Sequence, residues 1–157
     1  MRILFVCMGN ICRSPAAEGV FKAMIKKRGL TAMLSCDSAG IIGYHEGEGA
    51  YHKMKNVAFK RGYRLDSISR PVNPAKDFER FDMLIGMDDQ NIRDLNKMAG
   101  SNANRVKIHK ITDFCHRRDY SFVPDPYYGD TRDFELVIDL LEDGCEGLIN
   151  SIVGAEK

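Results

Sequence analysis

A cysteine and an arginine with five residues between them, Cys7 and Arg13, stand in the run Leu4-Phe5-Val6-Cys7-Met8-Gly9-Asn10-Ile11-Cys12-Arg13-Ser14-Pro15. A thiolate is a strong nucleophile, and a guanidinium is a planar fork that grips two oxygens of a tetrahedral anion, so the pair suits attack on a bound oxyanion. Lysine, a point charge, offers no such fork. The run follows an apolar segment, Ile3 to Val6, that reads as a short buried strand. It precedes a helical pattern whose opening turns suit Ser14, Pro15 and Glu18. A loop between strand end and helix start aims backbone N–H groups and the positive end of the helix dipole at one point, where an anion is stabilised. The same field favours thiolate over thiol, and a Ser14 hydroxyl within reach of the sulfur adds a donor. Gly9 and Asn10 tolerate the left-handed backbone that turns successive N–H groups inward.

Apolar periodicity outlines the elements that must hold this loop. Residues 2–6 read as a first strand, followed by a helix from Ala16 to Arg28 with Val20, Phe21, Met24 and Ile25 inward and Gly29 at its end. Residues 32–37 resemble a second strand, and Tyr51 to Arg61 a helix whose apolar face is Met54, Val57, Ala58 and Phe59. Phe81 to Gly86 reads as a third strand and Arg105 to Ile108 as a fourth. Between them a helix begins at Asp88, carries Ile92, Leu95 and Met98, and stops near Gly100. A long loop, 113–130, leads to a final helix from near Thr131 with Phe134, Val137, Ile138 and Leu141; loops of that length are often functional. The alternation predicts an α/β domain: a doubly wound four-stranded parallel sheet with helices on both faces and its ligand site beyond the carboxyl ends of the strands. Cys7 falls at such an end.

Composition narrows the possibilities. A chain of 157 residues, 44% hydrophobic, suits one core and one domain, 1–157. Lys and Arg total 23 against 22 acids, so no basic excess points to nucleic acid or to an anionic membrane, and anion binding must be local. Met1-Arg2 leads straight into a strand rather than an apolar signal core, and no apolar run approaches membrane-spanning length, so a cytoplasmic location is expected. Five cysteines, at 7, 12, 36, 115 and 145, form neither a metal-ligand spacing nor a disulfide framework. Reduced thiols, no metal and no cofactor are expected.

The run CMGNICRSP with Ala17-Glu18 resembles the phosphate-binding loop of the low-molecular-weight protein-tyrosine phosphatases. Asp125-Pro126-Tyr127-Tyr128-Gly129 resembles that family's general-acid loop, and Ser38-Ala39-Gly40 and Met87-Asp88 match weaker family segments, so the resemblance covers essentially the whole chain. It implies a phosphocysteine formed on Cys7, with Arg13, Ser14 and the loop residues Met8, Gly9, Asn10, Ile11 and Cys12 holding the phosphate. Expelling a phenolate at neutral pH is costly, and Asp125, in the long loop with its backbone restricted by Pro126, is the acid placed to protonate the leaving oxygen. Tyr127 and Tyr128 would wall an aryl substrate, and Tyr44 stands where relatives carry an aromatic at the cleft rim. By the same resemblance Asn10 and Ser38 brace the loop, while Glu18 and Asp88 orient Arg13. The implied partners are phosphotyrosine-containing proteins, with phosphate as product and inhibitor. Cys12 is placed to form a reversible disulfide with Cys7. None of His45, His52, His109 and His116 is assigned a catalytic role.

The chain departs from the family near Ser67, where a histidine is usual, and between Arg70 and Asp77, where one residue is inserted. These changes leave open what braces Asn10. Gly47-Glu48-Gly49-Ala50 lacks the usual proline, which predicts a more mobile rim loop. Three other activities deserve comparison. An arsenate reductase on this fold needs two neighbouring cysteines on a mobile segment, which Cys36, Cys115 and Cys145 do not supply. Phosphoarginine-directed relatives carry threonine at the position of Ile11. A non-catalytic phosphate-binding module is expected to lack Cys7 or Asp125, and both are present.

Overall fold

Strand β1 (Arg2–Cys7) is the most deeply buried strand, because both of its faces are covered. Ile3, Phe5 and Cys7 join one apolar cluster while Leu4 and Val6 join another, the two-residue period of a strand between helical layers. The computed structural model describes residues 1–155; the last two residues of the expected 1–157 domain lie outside the described residues. From β1 the chain continues through α1 (Arg13–Lys27), β2 (Ser35–Gly40), α2 (His52–Lys60), α3 (Pro74–Arg80), β3 (Met83–Gly86), α4 (Asp89–Ala99), α5 (Asn102–Arg105), β4 (Ile108–Lys110), a 3₁₀ turn (Ile111–Phe114) and α6 (Thr131–Ala155). The four strands lie in the order β2-β1-β3-β4, all parallel. Residues of α1, α2 and α6 build the larger core on one face, and residues of α3 and α4 the smaller one on the other. The doubly wound α/β sheet is therefore the one expected. Because β2 and β3 flank β1, strand order reverses at β1, and its carboxyl end is the crevice where such sheets take ligands. No helix among the described residues is long and apolar enough to cross a membrane.

Several boundaries move. The second strand occupies 35–40 rather than 32–37, since Ser35-Cys36-Asp37-Ser38-Ala39-Gly40 has little apolar signal of its own and is a strand through its pairing with β1. The fourth strand starts at Ile108, because Asn102–Arg105 forms a short helix capped by the Ser101 hydroxyl on Asn104 N–H. Helix α3 is an unanticipated element with legible signals: Pro74 at its start and Asn73 as a capping side chain. Helix α1 begins at Arg13, three residues before the expected Ala16. In α2, Met54, Val57 and Ala58 are buried as expected, but Phe59 is 71% exposed.

The long loop is anchored at its start by Asp143 on α6. That carboxylate, 1% exposed, accepts the backbone N–H groups of His116, Arg117 and Arg118 at 3.1, 3.1 and 2.9 Å. Burial opposes its charge, but the three N–H donors outweigh burial and hold the carboxyl below its ordinary range. Its contribution to stability is therefore present above the unfolded carboxyl value and is lost as pH falls through the lower folded value. Asp143→Asn is expected to cost about 1.5–3 kcal/mol at neutral pH. Urea denaturation would show the deficit shrinking in strong acid; an unchanged midpoint at neutral pH would count against this anchor.

Candidate active site

The phosphate-loop candidate, residues 7–13, is held from outside by its carbonyls. Cys7 and Met8 carbonyls accept from Ile41 and Ile42 N–H at 2.9 and 3.0 Å, Ile11 from Tyr51 N–H at 2.8 Å, and Cys12 from Ala16 N–H at 3.1 Å. The Gly9 carbonyl accepts from Ser69 Oγ at 3.1 Å. In a trans peptide C=O and N–H point in opposite directions, so carbonyls tied outward turn the following N–H groups toward the enclosed space. The rim segment 47–50 lies between Ile42 and Tyr51 and pairs with Ser69, Gly47 N–H donating to the Ser69 carbonyl at 2.9 Å and Ser69 N–H to the Glu48 carbonyl at 2.8 Å. Cys12, the N-cap of α1, makes no side-chain cap bond, and the first turn of α1 carries no acidic residue, Glu18 lying further along. The helix start thus turns its free N–H groups to the cleft, Ser14 N–H among them pointing at the Cys7 sulfur.

The left-handed turn is made by Asn10 alone of the expected pair, at φ 58°. Gly9 matters for space: a Cβ there would lie 3.1 Å from His45 Cδ2. The Asn10 side chain is fixed at both ends, its Oδ1 accepting Arg70 N–H at 3.0 Å and its Nδ2 donating to Ser14 Oγ at 2.8 Å and Ser38 Oγ at 3.0 Å. The Asn10 side-chain carbonyl oxygen is thus braced by a backbone group of Arg70. That residue is itself held by Asp37 and Asp77, each at 3.0 Å from its guanidinium.

The Cys7 sulfur, 2% exposed, has Ser14 Oγ at 3.0 Å and Ser14 N–H at 3.4 Å. Arg13 is 4% exposed; its Nη1 donates to Asp88 Oδ2 at 2.7 Å and to the Val123 carbonyl at 3.1 Å. Burial opposes the guanidinium charge, but Cys7, Asp88 and Asp125 outweigh it and raise its pKa. With Nη1 occupied, the Nε–Nη2 edge is the fork left for an oxyanion. Asp88 also caps α4 through Asn91 N–H at 2.8 Å, so one carboxylate both starts a helix and aims the arginine. Glu18, expected beside Asp88, does not reach Arg13. Its Oε1 accepts from Ser38 Oγ at 2.7 Å and its Oε2 from Lys22 at 2.5 Å.

Cys7, Arg13 and Asp125 open onto one cavity of about 400 Å³, with Met8, Gly9, Ile11, Cys12, Tyr44, Tyr127 and Tyr128 in its lining as expected. Asn10 and Ser14 are buried behind that lining and support it. Ile42 and His45 also line the cavity; no role for His45 is legible in the sequence, yet its Nδ1 is held by Glu48 at 2.5 Å and its ring edge lies against Gly9. Asp125, 57% exposed in its side chain, has one carboxylate oxygen 3.9 Å from Arg13 Nη2 and the other accepting Tyr127 N–H at 3.1 Å. At that distance and exposure the ion pair is weak, and the carboxyl remains free to meet a leaving group. Tyr127 stacks on Tyr51 with ring centroids 4.7 Å apart, whereas Tyr128 is 96% exposed, so the fixed wall is Tyr127. Burial, followed by the neighbouring Cys7 and Asp125, pushes the Cys12 thiol up to about 12. Cys7 and Cys12 are both free thiols in this structure.

Comparison with known proteins agrees with this geometry. Residues 2–157 match the family model described as low molecular weight phosphotyrosine protein phosphatase. The chain is 40% identical over 150 residues to YfkJ of Bacillus subtilis, named a low molecular weight protein-tyrosine-phosphatase, spanning 96% of this chain and 94% of that one. The human low molecular weight phosphotyrosine protein phosphatase is 33% identical over 136 residues, 86% of this chain and 85% of its own. The crystal structure of a protein tyrosine phosphatase from Entamoeba histolytica, with Hepes in its active site, superposes with a TM-score of 0.96 at 47% identity, covering 100% of this chain and 99% of that one. The chain is an enzyme of the low molecular weight phosphotyrosine protein phosphatase family.

Proposed function

We propose that this enzyme hydrolyses phosphotyrosine in proteins, and small aryl phosphates, through a phosphocysteine on Cys7, with residues 1–157 acting as one domain. The observation that carries the reading is the single cavity onto which the Cys7 sulfur, the free edge of Arg13 and the Asp125 carboxyl all open. Cys7 thiolate attacks phosphorus; the S–P bond forms as the bond from phosphorus to the aryl oxygen breaks. Asp125 gives its proton to the departing oxygen, and the phenol leaves. The Asp125 carboxylate then takes a proton from water, whose oxygen attacks phosphorus as the S–P bond breaks, releasing phosphate and restoring the thiolate. Loop N–H groups and Arg13 hold the nonbridging oxygens throughout, which supplies positive potential where charge develops. Free phosphate fits the same cradle and competes with substrate.

Ile11, which has no hydroxyl, and the stacked ring of Tyr127 at the cavity wall favour a flat aromatic leaving group over a guanidino one. Cys36 and Cys115 are partly buried and Cys145 is fully buried, and burial first of all raises each thiol, so none is a ready relay for arsenate reduction. A cytoplasmic location suits a mechanism that needs Cys7 reduced. The test is hydrolysis of para-nitrophenyl phosphate and of phosphotyrosine, phosphoserine and phosphoarginine peptides. Phosphotyrosine should be preferred, and failure on both aryl substrates would sink the reading. Asp125→Ala is expected to slow phosphotyrosine turnover by roughly 10²–10⁴-fold. The loss should be smaller with para-nitrophenyl phosphate, whose phenolate leaves with little need of a proton; equal losses on both would exclude Asp125 as the acid.

A further inference from the structure

The hydrogen-bond directions around Asn10 lead from the nucleophile to a buried carboxylate outside the cleft. Arg70 N–H donates to Asn10 Oδ1, so the amide nitrogen must face the two serines. Both of its hydrogens are then used, one on Ser14 Oγ at 2.8 Å and one on Ser38 Oγ at 3.0 Å, and each hydroxyl is an acceptor there. Ser38 gives its own hydrogen to Glu18 Oε1 at 2.7 Å, an atom of a carboxylate that can only accept. Ser14 gives its hydrogen to Cys7 Sγ at 3.0 Å, its alternative acceptor, the Ala39 carbonyl, lying at 3.5 Å. Asn10, Ser14, Ser38 and Glu18 are between 0 and 5% exposed, so water does not interrupt the chain.

We infer that Glu18 is a positioning residue for the nucleophile, setting through Ser38 and Asn10 the direction in which Ser14 donates to Cys7. The inference rests on the reading of Cys7 as nucleophile. Without the carboxylate, the Ser38 hydroxyl is free to turn its hydrogen toward the Asn10 amide, where two donors repel. Asn10 then loosens its hold on Ser14, and the Ser14 hydrogen can pass to the Ala39 carbonyl. Lys22, half-exposed four residues along α1, sets a positive charge beside Glu18. An acid can therefore serve this close to a thiolate without repelling it unopposed.

A double-mutant cycle with Ser14 separates this role from simple structural support. Glu18→Ala is expected to lower kcat for para-nitrophenyl phosphate by about tenfold, the worth of one hydrogen bond to a charged atom. KM should stay within about twofold, because Arg13 and the loop amides are untouched. In a Ser14→Ala background the same substitution should cost less than about twofold, since the hydroxyl it directs is gone. An equal cost in both backgrounds, or a loss confined to KM, would overturn the inference. Glu18→Gln, which still accepts from Ser38, should stay within about threefold of wild type. If Glu18→Ala does not fold, Ser38→Ala takes its place in the cycle with the same expectation, and a Ser38→Ala enzyme with full activity would overturn the relay. The rate of Cys7 alkylation by iodoacetamide near neutral pH, read through the same cycle, judges the relay without turnover. A wild type inactive on aryl phosphates but coupled in alkylation would thus overturn the phosphatase reading alone.

Discussion

Cys7→Ser is expected to leave a folded protein that binds phosphate and turns over no substrate, with kcat lowered by roughly 10⁴–10⁶-fold. The sulfur sits at the end of a strand buried on both faces, and serine fits that volume without disturbing Ile3, Phe5 or the loop carbonyl ties. What changes is chemistry. A serine hydroxyl near neutral pH has no base beside it: the nearest partner of the reacting atom is another hydroxyl, Ser14, placed to donate rather than to accept a proton. Rapid quenching of wild-type turnover should trap phosphate on Cys7 by mass spectrometry, with no such adduct in the variant. Wild-type levels of hydrolysis in Cys7→Ser would refute the covalent mechanism.

Arg13→Lys is the second large effect, expected to cost about 10²–10³-fold in kcat although the charge is kept. Arg13 Nη1 is already committed to Asp88 and to the Val123 carbonyl, and its remaining edge presents two parallel N–H groups. Lysine reaches one set of partners or the other. Should the ammonium settle on Asp88, the phosphate loses its clamp; should it turn to the phosphate, Asp88 and Val123 lose their donor. The binding of a tetrahedral oxyanion such as vanadate, followed by competition against para-nitrophenyl phosphate, should weaken together with kcat. Retained turnover in Arg13→Lys would show that point charge, not the fork, is what the site uses.

The part of the site that the sequence declares is the part made by contiguous residues. Cys7, Arg13 and Ser14 fall within eight consecutive residues at one strand-to-helix junction, and their spacing carries their geometry with it. Asp125 is legible for a similar reason, since the Asp-Pro-Tyr-Tyr run is a local loop with its own turn, the Tyr127 N–H returning to Asp125. The supports are long-range and leave little local trace. Arg70 braces Asn10 through a main-chain N–H, which no residue type announces, and the Ser69 hydroxyl holds the Gly9 carbonyl from 60 positions away. The expected pairing of Glu18 with Arg13 fails for a reason that helix geometry explains. Five positions along a helix turn a side chain by about 140° to the other flank, whereas Lys22, four further along, shares the Glu18 face. The strand Ser35–Gly40 lies three residues beyond its expected place because its small polar side chains have no period to read; its position is dictated by the partner it pairs with. His45 has no signal in the sequence because its use depends on lying against Gly9, a contact that only the folded rim creates.

The rim and the anion cradle are joined through main chain: the N–H groups of Ile41, Ile42 and Tyr51 hold the carbonyls of Cys7, Met8 and Ile11. A main-chain tie is indifferent to the side chain that its residue bears. Ile42, Tyr44 and His45 stand at the mouth of the cavity on this segment, so their side chains can vary while the N–H groups beneath them keep the cradle in shape. Selectivity for what surrounds the phosphotyrosine is thereby separable from the machinery that cleaves it. Such a division lets one catalytic loop serve diverging substrates through exchange of a few exposed residues.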